Sequence, residues 1–159
     1  MRVAILTVSD AGARGARADT SGDAIAAWVS ERGFTLADRA LVPDESVEIV
    51  RRLLGWSDGD VADLVLTTGG TGLSPRDNTP EATRAVLERE AYGIAERLRV
   101  ACIESFPRAA LSRGVAGSRH RTLIVNLPGS PGGVRDALRA LEPIVEHAVT
   151  IVRGERTDH

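Results

Sequence analysis

The chain has 159 residues, 43% of them hydrophobic, which is enough for one domain with a real core and too few for two comfortable ones. Its formal net charge of -2 excludes the basic excess of a nucleic-acid-binding face, and all 20 basic residues are arginine, which removes Walker-type lysine contacts and Schiff-base chemistry. One cysteine, Cys102, and three scattered histidines, His120, His147 and His159, exclude a disulfide framework and a cysteine-rich zinc site.

The first element, Val3 to Val8, is an apolar run too short for a signal or membrane segment; it predicts a strand buried on both faces and ended by Ser9 and Asp10. A soluble cytoplasmic protein with no membrane partner is the expectation. AGARGARADTSG then reads as a flexible loop, and Ile25, Trp28 and Val29 as the stripe of a helix capped by Asp19 or Ser21 and stopped by Gly33. Phe34 to Val42 predicts a second strand, and Val47, Val50 and Leu54, supported by Ile49 and Leu53, a second helix. Asp63 to Thr68 predicts a third strand, followed by a glycine loop and a helix opened by Pro80 and reaching about Glu90.

A further helix is expected from about Gly93 to Ser105, with Cys102 packed on its apolar face, then a weak edge strand between Ser112 and Ser118. Thr122 to Asn126 predicts a buried strand, and a last helix starts near Val134, where Pro143 should kink or split it. Strands alternating with helices indicate an α/β fold, a three-layer α/β/α sandwich with a mostly parallel sheet. One domain is expected over residues 1–153, with a polar C-terminal tail at 154–159.

In such sheets ligands bind outside the carboxyl ends of the strands. Ser9 and Asp10, Asp44, the glycine loop, and Asn126-Leu127-Pro128-Gly129 should therefore meet on one rim. The run Gly69-Gly70-Thr71-Gly72 is either a cradle of backbone N–H groups for phosphate or a plain tight turn that needs positive φ. Asp77 looks spare, because Thr79 before Pro80 already suits the capping role. A carboxylate beside bound phosphate repels it unless a cation such as Mg²⁺ lies between them, so Asp77 is a metal ligand or exposed decoration. Asp44 caps the second helix or shares that metal. Arg76 and Arg113 are candidates to pair with phosphate, and Asn126 either reads a polar heterocycle or merely sits in a stiff connection.

With TTGGTGLSPRDNTPEAT, VPDE, LSRGVAG and NLPGSPGGV placed in this order, nearly the whole chain resembles the MoaB/Mog family of molybdenum-cofactor biosynthesis, and most closely its molybdopterin adenylyltransferases. The resemblance implies a three-layer α/β fold, commonly a homotrimer, that joins molybdopterin to ATP with Mg²⁺ and hands its product to a molybdate insertase. By position it makes Asp44 and Asp77 the acidic residues essential for nucleotidyl transfer. It links Ser112 to the pterin product, places Gly69 to Gly72 at the substrate depression, and makes Ser9 and Asp10 the turn after the first strand. Cys102, Gly132 and Tyr92 depart from the family's usual residues. The alternative is a pterin-binding or carrier module that keeps the pocket without the chemistry.

Overall fold

The computed structural model describes residues 1–155, so the predicted tail lies outside the described residues from 156 onward. Six strands form one sheet in the order β2-β1-β3-β6-β5-β4. They are β1 (Arg2–Val8), β2 (Thr35–Val42), β3 (Leu64–Thr68), β4 (Arg89–Glu90), β5 (Ala116–Arg119) and β6 (Thr122–Leu127). The four strands from β2 to β6 run parallel, and β5 and β4 add antiparallel pairs at the far edge.

Side chains alternate across these strands, so each apolar run feeds two cores. Val3, Ile5, Leu64, Leu66, Leu123 and Val125 pack on one face against helices α2 (Thr20–Glu31), α5 (Tyr92–Ser105) and α6 (Pro131–Val152). Ala4, Leu6, Val65 and Ile124 pack on the other against α3 (Ser46–Asp58) and α4 (Thr79–Val86). The result is the predicted three-layer α/β sandwich. Asp19, rather than Ser21, caps α2: its Oδ1 accepts the Gly22 N–H at 2.9 Å. Gly33, at φ 66°, ends that helix as expected.

Several element predictions need correction. The loop after β1 begins with a short helix, α1 (Asp10–Ala13), because Ser9 caps it by accepting the Gly12 N–H at 3.0 Å. In α3 the buried stripe is Ile49, Leu53 and Trp56, and Val47 is exposed. The Trp56 indole, donating to Asp38 at 2.8 Å, turns the helix to that face. The helix opened by Pro80 stops at Val86, since Leu87 is extended and the Glu88 and Ala91 N–H groups donate to Ser118 and Ala116. Arg89–Glu90 is thus the edge strand, and β5 lies one place inward. Pro143 does not split α6, where the fully buried Leu141 and Val145 hold the flanking turns against the core.

At the opposite end of the sheet from the glycine loop, Asp63 accepts from the Arg2 N–H at 2.7 Å and from the Arg153 guanidinium at 2.5 Å. Burial pushes the Asp63 carboxyl up, but the Arg2 hydrogen bonds and the Arg153 charge outweigh it and hold it below its ordinary value. An acid held low in the folded state contributes stability that is present above its unfolded value and lost as pH falls through the folded one. Asp63→Asn is therefore expected to lower Tm at neutral pH. The gap between variant and parent should close as the melts are taken below about pH 3.9.

Candidate functional site

The carboxyl ends of β1, β2, β3 and β6 bring the predicted turns together. Gly69 (φ 93°) and Gly70 (φ 63°) both occupy the region that L side chains avoid. A Cβ on Gly69 would overlap the Val8 carbonyl oxygen, and one on Gly70 would lie 2.8 Å from Asp44 Oδ1. The tight-turn reading is therefore correct as far as it goes, and the missing side chains also open the backbone toward the acidic residues. Thr68 Oγ1 donates to the Pro128 carbonyl at 2.6 Å, which joins this loop to the turn after β6. Gly129 fits beneath it, with any Cβ only 3.3 Å from Gly69 Cα.

Asp44 does not cap α3. Glu45 holds the capping position without a side-chain bond, whereas Asp44 and Asp10 brace each other, each carboxylate accepting the other's backbone N–H at 3.0 Å. Burial pushes the Asp44 carboxyl up; the Asp10 N–H opposes that, and the nearby Asp10 and Asp77 carboxylates add to it, leaving a net rise. Asp10 moves the other way, held down chiefly by Arg76, whose guanidinium meets it at 2.9 Å. Arg76 also holds Glu45 at 3.0 Å. The predicted phosphate partner is thus held by two carboxylates, Asp10 and Glu45.

Asp77 is free of capping, because Asn78 occupies that position and Thr79 turns its hydroxyl to the Gly69 carbonyl at 2.9 Å. One carboxylate oxygen, Oδ2, accepts the Ser74 N–H at 2.9 Å. No donor among the described residues reaches Asp77 Oδ1 or Asp44 Oδ1, and each carboxylate keeps one oxygen for a ligand. Arg113 is engaged by protein groups. It binds the carbonyls of Gly72 at 2.7 Å and Asp77 at 2.8 Å together with Glu81, so it fixes the glycine loop from behind.

Asn126 also meets protein partners, at the wall of the larger cavity. It is buried; its amide donates to Thr67 at 2.9 Å and Thr83 at 3.0 Å, and its Oδ1 accepts the Val115 N–H at 3.1 Å, leaving no hydrogen for a heterocycle. Asn126→Ala strands several buried polar groups and is expected to cost about 2 to 3 kcal/mol in urea unfolding. An unchanged midpoint would return Asn126 to the ligand.

Two cavities open on this rim. The larger, about 660 Å³, has Leu98, Cys102, Phe106, Leu111, Ser112 and Pro128 in its wall. The smaller, about 220 Å³, is lined by polar groups that include Ser9, Asp44 and Thr68. Gly70, Asp77 and Gly129 belong to both. Ser112 is held at the larger cavity by Arg99, which donates to its carbonyl at 2.9 Å. Cys102 packs in the apolar core as expected and also lines the larger cavity, its thiol pushed up by burial and by Asp136 and so unsuited to nucleophilic attack. Sequence reasoning missed Arg99, Arg108, Ser130 and Asp136 in the larger cavity and Asp19 in the smaller. The spacing of Leu98, Cys102 and Ser105 on α5 was the available signal, since it carries the helix face on into a polar residue.

Among the described residues no group of three or more His, Cys, Asp or Glu side chains is placed to hold a metal. Mg²⁺ takes one or two carboxylates with phosphate oxygens completing its shell, so the pair with unbonded hard oxygens, Asp44 and Asp77, fits that ion in the company of a phosphate.

Residues 4–147 match the family described as probable molybdopterin binding domain. The molybdopterin adenylyltransferase of Helicobacter pylori is 37% identical over 156 residues, covering 97% of this chain and 89% of that protein. The Escherichia coli protein of the same name is 37% identical over 145 residues, covering 89% and 74%. The solved structure of the molybdopterin biosynthesis enzyme MoaB from Thermus thermophilus superposes with a TM-score of 0.91 at 54% identity, covering 96% of each chain.

Proposed function

We propose, from the premise that the chain belongs to the molybdopterin-binding domain family, that it is a molybdopterin adenylyltransferase, a nucleotidyltransferase like its named relatives. It joins molybdopterin to ATP, giving adenylylated molybdopterin and pyrophosphate. The observation that carries this is the meeting of a roomy cavity and a small polar one at Gly70, Asp77 and Gly129. A flat pterin suits the first, a polyphosphate tail suits the second, and the reacting phosphates meet at the shared wall.

An oxygen of the molybdopterin phosphate attacks the α-phosphorus of ATP, the bond from that phosphorus to the α,β-bridging oxygen breaks, and pyrophosphate leaves with the electron pair. The attacking phosphate is already ionised near neutral pH, so the chain needs neither a general base nor a protein nucleophile. Gly69 and Gly70, without side chains, admit phosphate close to the backbone, and Arg113 keeps Gly72 and Asp77 in register. Ser112 offers a hydroxyl to the substrate in the larger cavity. Asp44 and Asp77 would hold Mg²⁺, which when bound neutralises charge between the carboxylates and the phosphates.

Incubating the protein with molybdopterin, ATP and Mg²⁺ should release pyrophosphate only when both substrates are present, and EDTA should abolish the release. Release from ATP alone overturns the assignment. Molybdopterin binding without release would support the carrier alternative. On the same proposal residues 1–153 act as one domain and the protein works in the cytoplasm as a homotrimer, passing its product to a molybdate insertase. Sedimentation equilibrium tests the assembly.

A further inference from the structure

The titratable residues in the wall of the small cavity are three carboxylates, Asp19, Asp44 and Asp77, and one cation, Arg17. Asp19 is already satisfied: Arg39 meets it at 2.6 Å, and Thr7 and the Gly22 N–H each reach it at 2.9 Å. Asp10, just behind Asp44, is matched by Arg76. Asp44 and Asp77 are left for a metal. Arg17 is matched by nothing: among the described residues its guanidinium enters no ion pair and no hydrogen bond, unlike the neighbouring arginines Arg39 and Arg76.

Its position is nevertheless defined. Gly15, at φ 70°, turns the chain back after α1, and the Gly15 and Ala16 N–H groups donate to Gly12 and Ala11, each at 2.9 Å. Two residues beyond Arg17, Asp19 is pinned as the cap of α2. The unpaired Arg17 thus lies between two anchored points, in a cavity wall that also carries Asp44 and Asp77. Arg17 takes no part in the wall of the larger cavity, so it is not placed for the pterin substrate.

We propose that Arg17 binds the β- and γ-phosphates of the nucleotide, and the pyrophosphate they become. This rests on the adenylyltransferase assignment and adds the residue that receives the leaving group. As the bond to the α-phosphorus breaks, negative charge grows on the departing pyrophosphate. A forked guanidinium with no internal partner meets that charge without first breaking another ion pair.

The test titrates the parent protein, Arg17→Ala and Arg17→Lys with inorganic pyrophosphate in Mg²⁺, and separately with AMP, which lacks the outer phosphates. Arg17→Ala should weaken pyrophosphate by at least about tenfold and leave AMP affinity unchanged, with Arg17→Lys recovering part of the loss. In turnover KM for ATP should rise while KM for molybdopterin holds. Because Arg17 is exposed, equal Tm values for the three proteins are expected. Unchanged pyrophosphate affinity in Arg17→Ala, equal weakening of AMP, or a parent protein that binds no pyrophosphate each overturns the proposal. If the parent turns over both substrates and one of these results appears, the assignment of Arg17 alone fails. If the parent releases no pyrophosphate from the two substrates, the adenylyltransferase assignment fails and takes this role with it.

Discussion

Asp77→Asn is expected to lower kcat by about a hundredfold or more while leaving molybdopterin affinity close to that of the parent. The substitution keeps the shape of the side chain and its acceptor for the Ser74 N–H, so the turn it closes survives. What disappears is charge at the one acidic residue common to both cavities, where the phosphates react. Loss of kcat with ground-state binding retained marks an interaction realised in the transition state. Asp44→Asn should lose activity on the same scale but differ in stability. An acid whose folded value is raised binds its proton more tightly in the native state, so ionising it costs stability as pH rises from about 3.9 through that raised value. Its removal should leave Tm at neutral pH equal to the parent's or higher. Single-turnover assays and melts on both variants check this, and full activity in either would remove that carboxylate from the site.

The sheet was legible because β1, β3 and β6 are buried on both faces and so appear as continuous apolar runs. Convergence of Ser9, Asp44, Gly69 and Gly129 followed from the rule for strand ends, which needs only the strands and their direction. β4 was not legible, since two residues paired through Glu88 and Ala91 leave no periodic trace. Nor did the pattern of Val47, Val50 and Leu54 show that Trp56 would be tied to Asp38 and rotate α3.

The arginines mark the sharper limit. Arg76 and Arg113 lie near the site as expected, but their partners are carboxylates and carbonyls brought in from other segments, and sequence distance carries no information about which charge meets which. Arg17, in a loop expected only to be flexible, is the one left unpaired at the small cavity. On α5, Leu98 and Cys102 have the spacing of core residues and are buried in the core, but that spacing did not show that they also line a cavity, because periodicity reports which face is apolar and not what covers it.

Gly69→Ala is expected to destabilise the protein by about 3 kcal/mol or more and to remove transfer activity from whatever still folds. Two independent costs fall on this residue. Its φ of 93° is strained for any L side chain, and the new methyl overlaps a backbone carbonyl, that of Val8, which belongs to a buried central strand and cannot turn aside as a flexible side chain would. The loop must therefore move. As it does, it gives up the Thr79 bond to the Gly69 carbonyl and carries Gly70 away from Asp44. Gly132→Ala is the matched control: nothing lies within 4 Å of the added methyl, and the residue sits in the first turn of α6. There the change should be neutral or stabilising by up to about 1 kcal/mol. Urea unfolding of both variants separates the cases. If Gly69→Ala matched the parent in midpoint and turnover, the loop would be a replaceable connection, and the close approach of backbone to phosphate on which the proposed chemistry depends would be lost.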